Sequence, residues 1–162
     1  MEVSLREIEP QSRSVVENLF QYYVYDMSEF MGWPPNDSGL YSFNPSLLDA
    51  YWAEEDHFPH FIYVDSELAG FALVRRYPSN PAIYDMEQFF VLRKFKGKGV
   101  GKLALKSVLE RFPGRWQIRV LVENTAALGF WTAAVLDVVG SEYTLSLQND
   151  VDLMMNFIQF DV

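Results

Sequence analysis

Hydrophobic positions recur along the chain with two spacings, and the changes between them mark the predicted elements. After a short β-like segment at residues 3–8, apolar residues from Val15 to Val24 follow the spacing of a helix. The stretch PSLLDAYWAEED, which begins at Pro45, predicts a second helix with proline in its first turn. The segment between the two helices contains GWPPNDSG, and it is long and aromatic for a simple connection.

The second half begins with three β-rich runs. HFIYVDSELAGFALVRRY predicts a hairpin that turns at residues 65–70, and AIYDMEQFFVL predicts the next strand. A glycine-rich loop, a helix over 99–111, the strand WQIRVLV and a helix capped by Asn124 follow, and SEYTLSL and DLMMNFIQF predict two last strands. This order predicts a mixed α/β (α+β) fold in a single domain over residues 1–162, with one βαβ-like unit in the second half.

Composition narrows the possible functions. The formal net charge is -9 and 49% of the residues are hydrophobic, so we expect a globular protein that binds neither nucleic acid nor membranes. The chain has no cysteine, which excludes disulfides and thiolate chemistry. Its first residues form neither a basic nor an apolar leader, and we therefore expect a cytoplasmic protein.

Positive charge is concentrated in one place. No acidic residue occurs between Glu87 and Glu110, and glycines stand at 97, 99 and 101, where the next helix begins. The unpaired N–H groups of a helix start, approached without Cβ atoms, favour an anion site. The alternative is a solvated basic helix face after a flexible turn. The six basic residues of this segment are Arg93, Lys94, Lys96, Lys98, Lys102 and Lys106.

Two common phosphate motifs do not fit this loop. A nucleoside triphosphate loop requires serine or threonine where Leu103 stands, and a dinucleotide fingerprint requires glycine where Lys102 stands. The anion is therefore of another kind.

The loop KGKGVG at residues 96–101, followed by NTAALGFW at 124–131, resembles the two core motifs of the GNAT N-acetyltransferase superfamily. The stretch FPGRWQIRVLVENTAALGFW further resembles a bacterial-type subgroup of predicted acetyltransferases. The resemblance implies a GNAT-like acyl-CoA N-acyltransferase fold, with a mixed central sheet and helices on both faces. It also implies acetyl-CoA (CoA) as the cofactor and a small-molecule amine or peptide amino group as the acceptor.

By the same resemblance, the loop holds the CoA pyrophosphate and the preceding strand pairs with the pantetheine arm. Trp131 replaces a tyrosine that protonates the leaving thiolate in many members, and Lys96 replaces the usual arginine or glutamine. The implied cofactor-binding residues are Phe90, Val91, Lys96, Gly97, Lys98, Gly99, Val100, Gly101, Lys102, Asn124, Phe130 and Trp131.

In this superfamily the amine attacks the thioester directly in a ternary complex, and a carboxylate on the strand before the loop takes the amine proton. Strand alternation places Asp85, Glu87, Phe89 and Val91 on one face, so Asp85 and Glu87 are both candidate bases, with Glu87 preferred. Tyr143 is a candidate substitute acid, with packing in the core as the alternative. The first two helices and their loop are expected to roof the acceptor pocket, where Tyr25, Asp26, Glu29, Trp33 and Tyr41 are candidate substrate contacts.

We predict no metal site, and we expect His57 and His60 to lie in a solvated loop. The chain is predicted to be an acetyl-CoA-dependent N-acetyltransferase that acts as a monomer or homodimer. Two alternatives remain open: a non-catalytic acyl-CoA-binding module of the same fold, and an interaction domain whose basic helix binds an acidic protein.

Overall fold

The computed structural model describes all 162 residues, and its elements follow the predicted order. The strands are β1 (Val3–Glu7), β2 (His57–Val64), β3 (Glu67–Tyr77), β4 (Asn80–Val91), β5 (Arg115–Leu121), β6 (Tyr143–Asp150) and β7 (Leu153–Asp161). The helices are α1 (Arg13–Met31), α2 (Ala50–Ala53), α3 (Val100–Arg111) and α4 (Thr125–Val139). The predicted mixed α/β fold is confirmed.

All seven strands form one sheet in the order β1-β2-β3-β4-β5-β7-β6. Every neighbouring pair is antiparallel except β4 and β5, which are parallel because α3 carries the chain back across the sheet. These two strands pair only where Ile83–Asp85 lie beside Arg115–Gln117. Beyond that point they have no backbone pairing, although β4 continues to Val91 and β5 to Leu121. A gap therefore opens between their carboxyl ends.

Helices cover both faces of the sheet, and each face has its own hydrophobic core. One core joins α3 and α4 to the sheet around Trp116, which is 0% exposed. The other joins α1 and α2 to β2, β3 and β4 around Phe71, which stacks on Phe20 of α1 at a ring distance of 5.1 Å. Burial on both sides fixes β3 and β4, and β4 borders the gap.

A β-bulge interrupts β4. On β3, Leu73 lies opposite Gln88 while Val74 lies opposite Met86, so Glu87 is an extra residue on β4. An extra residue reverses the facing of all the side chains that follow it.

The bulge changes which residues of β4 share a face. Asp85, Glu87 and Gln88 all lie on the side of α1 and α2, whereas Phe89 and Val91 pack with the core of α3 and α4. The prediction that Asp85, Glu87, Phe89 and Val91 share one face is therefore wrong for the last two. The alternation of side chains along a strand does not show by itself where an extra residue is inserted.

Other departures from the predicted elements are local. The second helix is shorter than predicted, because residues Pro45–Leu48 form a 3₁₀ turn before the single turn of α2. The prediction of a solvated loop for His57 and His60 is wrong, since both lie in β2 and His60 is 4% exposed. Burial lowers the pKa of His60, whose Nδ1 lies 3.1 Å from the Phe58 carbonyl oxygen. None of the helices has the length and apolarity that crossing a membrane requires.

Candidate active site

Two cavities meet in the gap between β4 and β5. The loop cavity, of about 820 Å³, lies between the glycine loop, α1 and the start of α4. The strand cavity, of about 990 Å³, lies between β4, β5, residues 33–43 and the tip of the β6–β7 hairpin. Both volumes suit a small-molecule ligand. The residues that line both cavities are Tyr23, Met27, Phe89, Asn124, Ala127 and Trp131.

The glycine loop presents a run of free backbone donors to the loop cavity. The first hydrogen bond of α3 joins the Leu103 N–H to the Gly99 carbonyl at 3.1 Å, and the N–H groups of residues 97–102 have no partner in the protein. Gly97 and Gly99 have φ values of 73° and 78°, in the left-handed region that favours glycine. Consecutive free donors at a helix start form a site for an anion such as a pyrophosphate.

Gly101 brings α3 close to an aromatic cluster at the start of α4. A Cβ atom at this position would lie 2.8 Å from Cζ of Phe130. The Phe130 ring lies 4.9 Å from that of Trp131, which in turn lies 4.9 Å from that of Phe89. These three rings form the wall where the two cavities join.

Asn124 has a structural role at this wall. Its side-chain oxygen accepts a hydrogen bond from the Ala127 N–H at 3.2 Å, so it caps α4 as the sequence predicts. The loop cavity is lined by all the residues predicted to bind the cofactor, with the exception of Lys98.

The basic segment is largely paired with carboxylates from other parts of the fold. Lys98 alone among the six basic residues has no acidic partner. The sequence shows no acidic residue near this segment and therefore suggests more free positive charge than the folded protein offers to a ligand. The pairs are Arg93 and Lys96 with Asp26, Lys94 with Glu67, Lys102 with Asp137 and Lys106 with Glu110.

Asp85 is enclosed beneath the strand cavity. Its side chain is 0% exposed, and its oxygens accept hydrogen bonds from Arg75 of β3 at 3.0 Å and from Arg119 of β5 at 2.9 Å. Gln117 is a further donor at 3.3 Å. Asp85 contacts neither cavity, and both of its oxygens are held by side chains of the neighbouring strands.

Glu87 is held at the wall of the strand cavity. One carboxylate oxygen accepts a hydrogen bond from the Tyr51 hydroxyl at 2.9 Å, and the other pairs with Arg75 at 2.5 Å. The Glu87 side chain is 20% exposed. The pKa of Tyr51 is raised, mainly because its hydroxyl is buried and also because the negative charge of Glu87 is near. Tyr51 therefore remains a hydrogen-bond donor that keeps the Glu87 carboxylate in position.

The same charge network fixes the tip of the β6–β7 hairpin. Asp150 pairs with Arg119 and also accepts a hydrogen bond from the Tyr77 hydroxyl at 3.1 Å. These contacts join the hairpin to β3 and β5 across the strand cavity. Arg119 thus connects Asp150 to Asp85.

Tyr23 borders the site, a position that the sequence did not indicate. It lines both cavities, and its hydroxyl donates a hydrogen bond to the side-chain oxygen of Gln88 at 2.7 Å. Burial raises the pKa of Tyr23 well above its usual range, so the phenol keeps its proton. Its helical spacing indicated only a core position, and nothing in the sequence places it opposite β4.

The remaining candidates are divided between the two cavities and the rest of the fold. Glu29 lines the loop cavity and Trp33 lines the strand cavity, whereas Tyr25 lines neither and packs against Tyr41 at 5.2 Å. Tyr143 also lines neither cavity, because β6 lies at the far edge of the sheet and Tyr143 packs on the core of α3 and α4. The structure does not bring this tyrosine to the site.

Solved structures share this fold at low sequence identity. An acetyltransferase from Thermus thermophilus has a TM-score of 0.73 and 14% identity, covering 100% of this chain and 98% of that chain. A GNAT-family acetyltransferase from Streptococcus pneumoniae has a TM-score of 0.65 and 13% identity, with 99% of both chains covered. An aminoglycoside acetyltransferase in complex with coenzyme A has a TM-score of 0.70 and 15% identity, covering 99% of this chain and 95% of that chain. No curated protein sequence matches the chain.

A family model gives the more direct assignment. The model described as the acetyltransferase (GNAT) family matches residues 20–134, a span that includes β4, the glycine loop, α3, β5 and most of α4. This match confirms the resemblance drawn from the two sequence motifs. The chain therefore belongs to the acetyltransferase (GNAT) family.

Proposed function

We propose that this protein transfers an acetyl group from acetyl-CoA to a primary amine by direct attack in a ternary complex. Its family and the complex of a structural neighbour with coenzyme A support the choice of cofactor. Acetyl-CoA supplies an acetyl group activated as a thioester. The observation that carries the proposal is the meeting of two cavities, one with free backbone donors and the other with Glu87.

The residues of the loop cavity fit this cofactor. The free N–H groups of residues 97–102 suit a pyrophosphate, and the glycines leave room for it to approach the backbone. Val91 and Phe90 at the end of β4 border the same cavity and would lie beside the pantetheine arm. Lys96 and Lys102 supply positive charge near the phosphates, although each already pairs with a carboxylate.

In the strand cavity, Glu87 acts as the general base. It takes the proton of the ammonium group, directly or through water, and the freed amine nitrogen attacks the thioester carbonyl carbon. The new C–N bond forms as the C–S bond breaks, and the sulfur leaves with the bonding electrons. Solvent takes the second proton of the attacking nitrogen and protonates the thiolate after it leaves. Tyr23, which lines both cavities and keeps its own proton, would stabilise the departing sulfur by a hydrogen bond. Trp131 has no acidic proton, but a thiol pKa of about 8.5 lets thiolate leave without full protonation.

The test compares two glutamate variants in a thiol-release assay with mass detection of the acetylated amine. Glu87→Gln keeps the shape and loses the base, so kcat/KM for the amine is expected to fall about 10²- to 10⁴-fold. Glu55→Gln changes an exposed carboxylate away from both cavities and is expected to retain wild-type activity. Equal activity of Glu87→Gln and wild type would contradict the role of Glu87. Acetyl-CoA binding without any acetylated product would instead identify a non-catalytic binding module.

A further inference from the structure

The mouth of the strand cavity has an exposed apolar rim. Its residues come from the segment before α2 and from the β6–β7 hairpin, and each is exposed by 39% or more. Exposed apolar side chains are ordinary when scattered, but a group of them around one cavity marks a site for an apolar ligand. The rim residues are Trp33, Leu40, Leu47, Val151 and Leu153.

The hairpin part of this rim is held in an unfavourable conformation. Val151 is 88% exposed and has a φ of 48°, a value that is rare for a β-branched residue. The anchoring of the neighbouring Asp150 by Arg119 and Tyr77 keeps the tip beside the cavity. The two-residue turn Val151–Asp152 requires a positive φ at both positions, and it leaves the Val151 side chain exposed at the mouth of the cavity.

The charges at the base of the cavity leave room for one cation. Glu87 and Asp150 on the cavity wall and Asp85 enclosed beneath it provide three carboxylates against the two guanidinium groups of Arg75 and Arg119, so the network carries an excess of one negative charge. The remaining residues that line this cavity are neutral. A ligand with several ammonium groups would therefore place positive charge against apolar walls, at a cost in desolvation.

We infer that the acceptor is a primary amine with a single positive charge on an apolar body, either aromatic or aliphatic. Its ammonium group lies at Glu87, and its body extends towards the apolar rim. This inference rests on the proposed acetyl transfer and specifies the substrate class of the same site. A polyamine or an amino sugar carries too many charges for this cavity.

The test uses a series of straight-chain amines from ethylamine to octylamine with the wild-type protein and acetyl-CoA. Burial of the chain is expected to raise kcat/KM about two- to fourfold for each of the six added methylenes, or about 60- to 4,000-fold over the series. Phenethylamine is expected to be a good acceptor, and spermidine and kanamycin are expected to be at least tenfold poorer than octylamine. A flat series, or spermidine or kanamycin equalling octylamine, would overturn the inference.

A pair of variants locates the effect. Trp33→Ala removes an aromatic side chain from the rim and is expected to reduce the ratio of octylamine to ethylamine activity severalfold. Tyr22→Ala removes an exposed aromatic from α1 that lines neither cavity, and the ratio is expected to stay at the wild-type value. An unchanged ratio of octylamine to ethylamine activity in Trp33→Ala would show that the rim does not bind the amine chain, and it would overturn the inference.

Binding measurements separate this inference from the proposed function. Octylamine and spermidine are each titrated into the protein with CoA present, and the shift in melting temperature is recorded. Stabilisation by octylamine with no acetylation of any amine would reject the transferase function and leave the binding preference standing. Turnover with a preference for spermidine would support the transferase function and reject the apolar acceptor.

Discussion

Two carboxylates on β4 lie in different surroundings although they are close neighbours in the sequence. Asp85 and Glu87 stand two positions apart, and the sequence predicted both as candidate bases. The structure surrounds Asp85 with two arginines from other strands and leaves Glu87 partly exposed to the strand cavity. Spacing along one strand was enough to select the pair. The difference between them depends on Arg75 and Arg119. Strand pairing brings these two arginines close to Asp85, and no residue pattern near Asp85 in the sequence indicates it.

The buried position of Asp85 leads to a prediction about stability. Asp85→Asn removes the anion between two guanidinium groups, and the free energy of unfolding is expected to fall by about 3 kcal/mol. Glu110→Gln breaks the exposed pair with Lys106 and is expected to cost less than about 1 kcal/mol. Urea unfolding of both variants measures the difference. A loss for Asp85→Asn no larger than that for Glu110→Gln would show that the network is not structural.

At the scale of elements, periodicity predicted the order of strands and helices but not their irregularities. The apolar spacing that marks α1 and α3 is clear because each helix buries one side against the sheet, whereas α4 is apolar along most of its length. The bulge at Glu87 and the single turn of α2 depend on contacts with other elements. Both irregularities lie at the site. The sequence could therefore identify Glu87 as a candidate, but it could not show that Glu87 and Phe89 lie on opposite faces of the sheet.

Close packing of β3 against β4 gives a prediction at this scale. A Cβ atom at Gly70 would lie 1.9 Å from the Phe90 carbonyl oxygen, so Gly70→Ala must displace β4 beside the loop cavity. The variant is expected to lose about 1–3 kcal/mol of stability and to bind acetyl-CoA more weakly.

The matched control is another glycine with space around it. No atom lies within 4 Å of a Cβ atom built at Gly129 in α4, and Gly129→Ala is expected to gain about 0.5–1 kcal/mol through helix propensity. Chemical unfolding and titration with acetyl-CoA measure both effects. Equal stability of the two alanine variants would contradict the close approach at Gly70.

At the scale of the whole molecule, the site exists because β4 and β5 separate after three residue pairs. No sequence pattern predicted this separation, and the family resemblance implied only that the glycine loop and the preceding strand hold CoA. The fold also brings Asp26, Glu67 and Asp137 to the basic segment and so offsets half of its six positive charges. The free N–H groups at the start of α3 are therefore the principal feature that distinguishes the loop cavity as an anion site.

The central claim is that the loop cavity binds acetyl-CoA through this helix start, and thermal unfolding with and without acetyl-CoA tests it most directly. At about one hundred times the dissociation constant, binding to the folded state contributes about 2.7 kcal/mol, which raises the melting temperature by several degrees. Gly101→Glu places a negative side chain in the loop cavity and is expected to abolish the shift, whereas Gly129→Glu makes the same change outside both cavities and is expected to preserve it. No shift in the wild-type protein, or an equal shift in Gly101→Glu, would contradict the account.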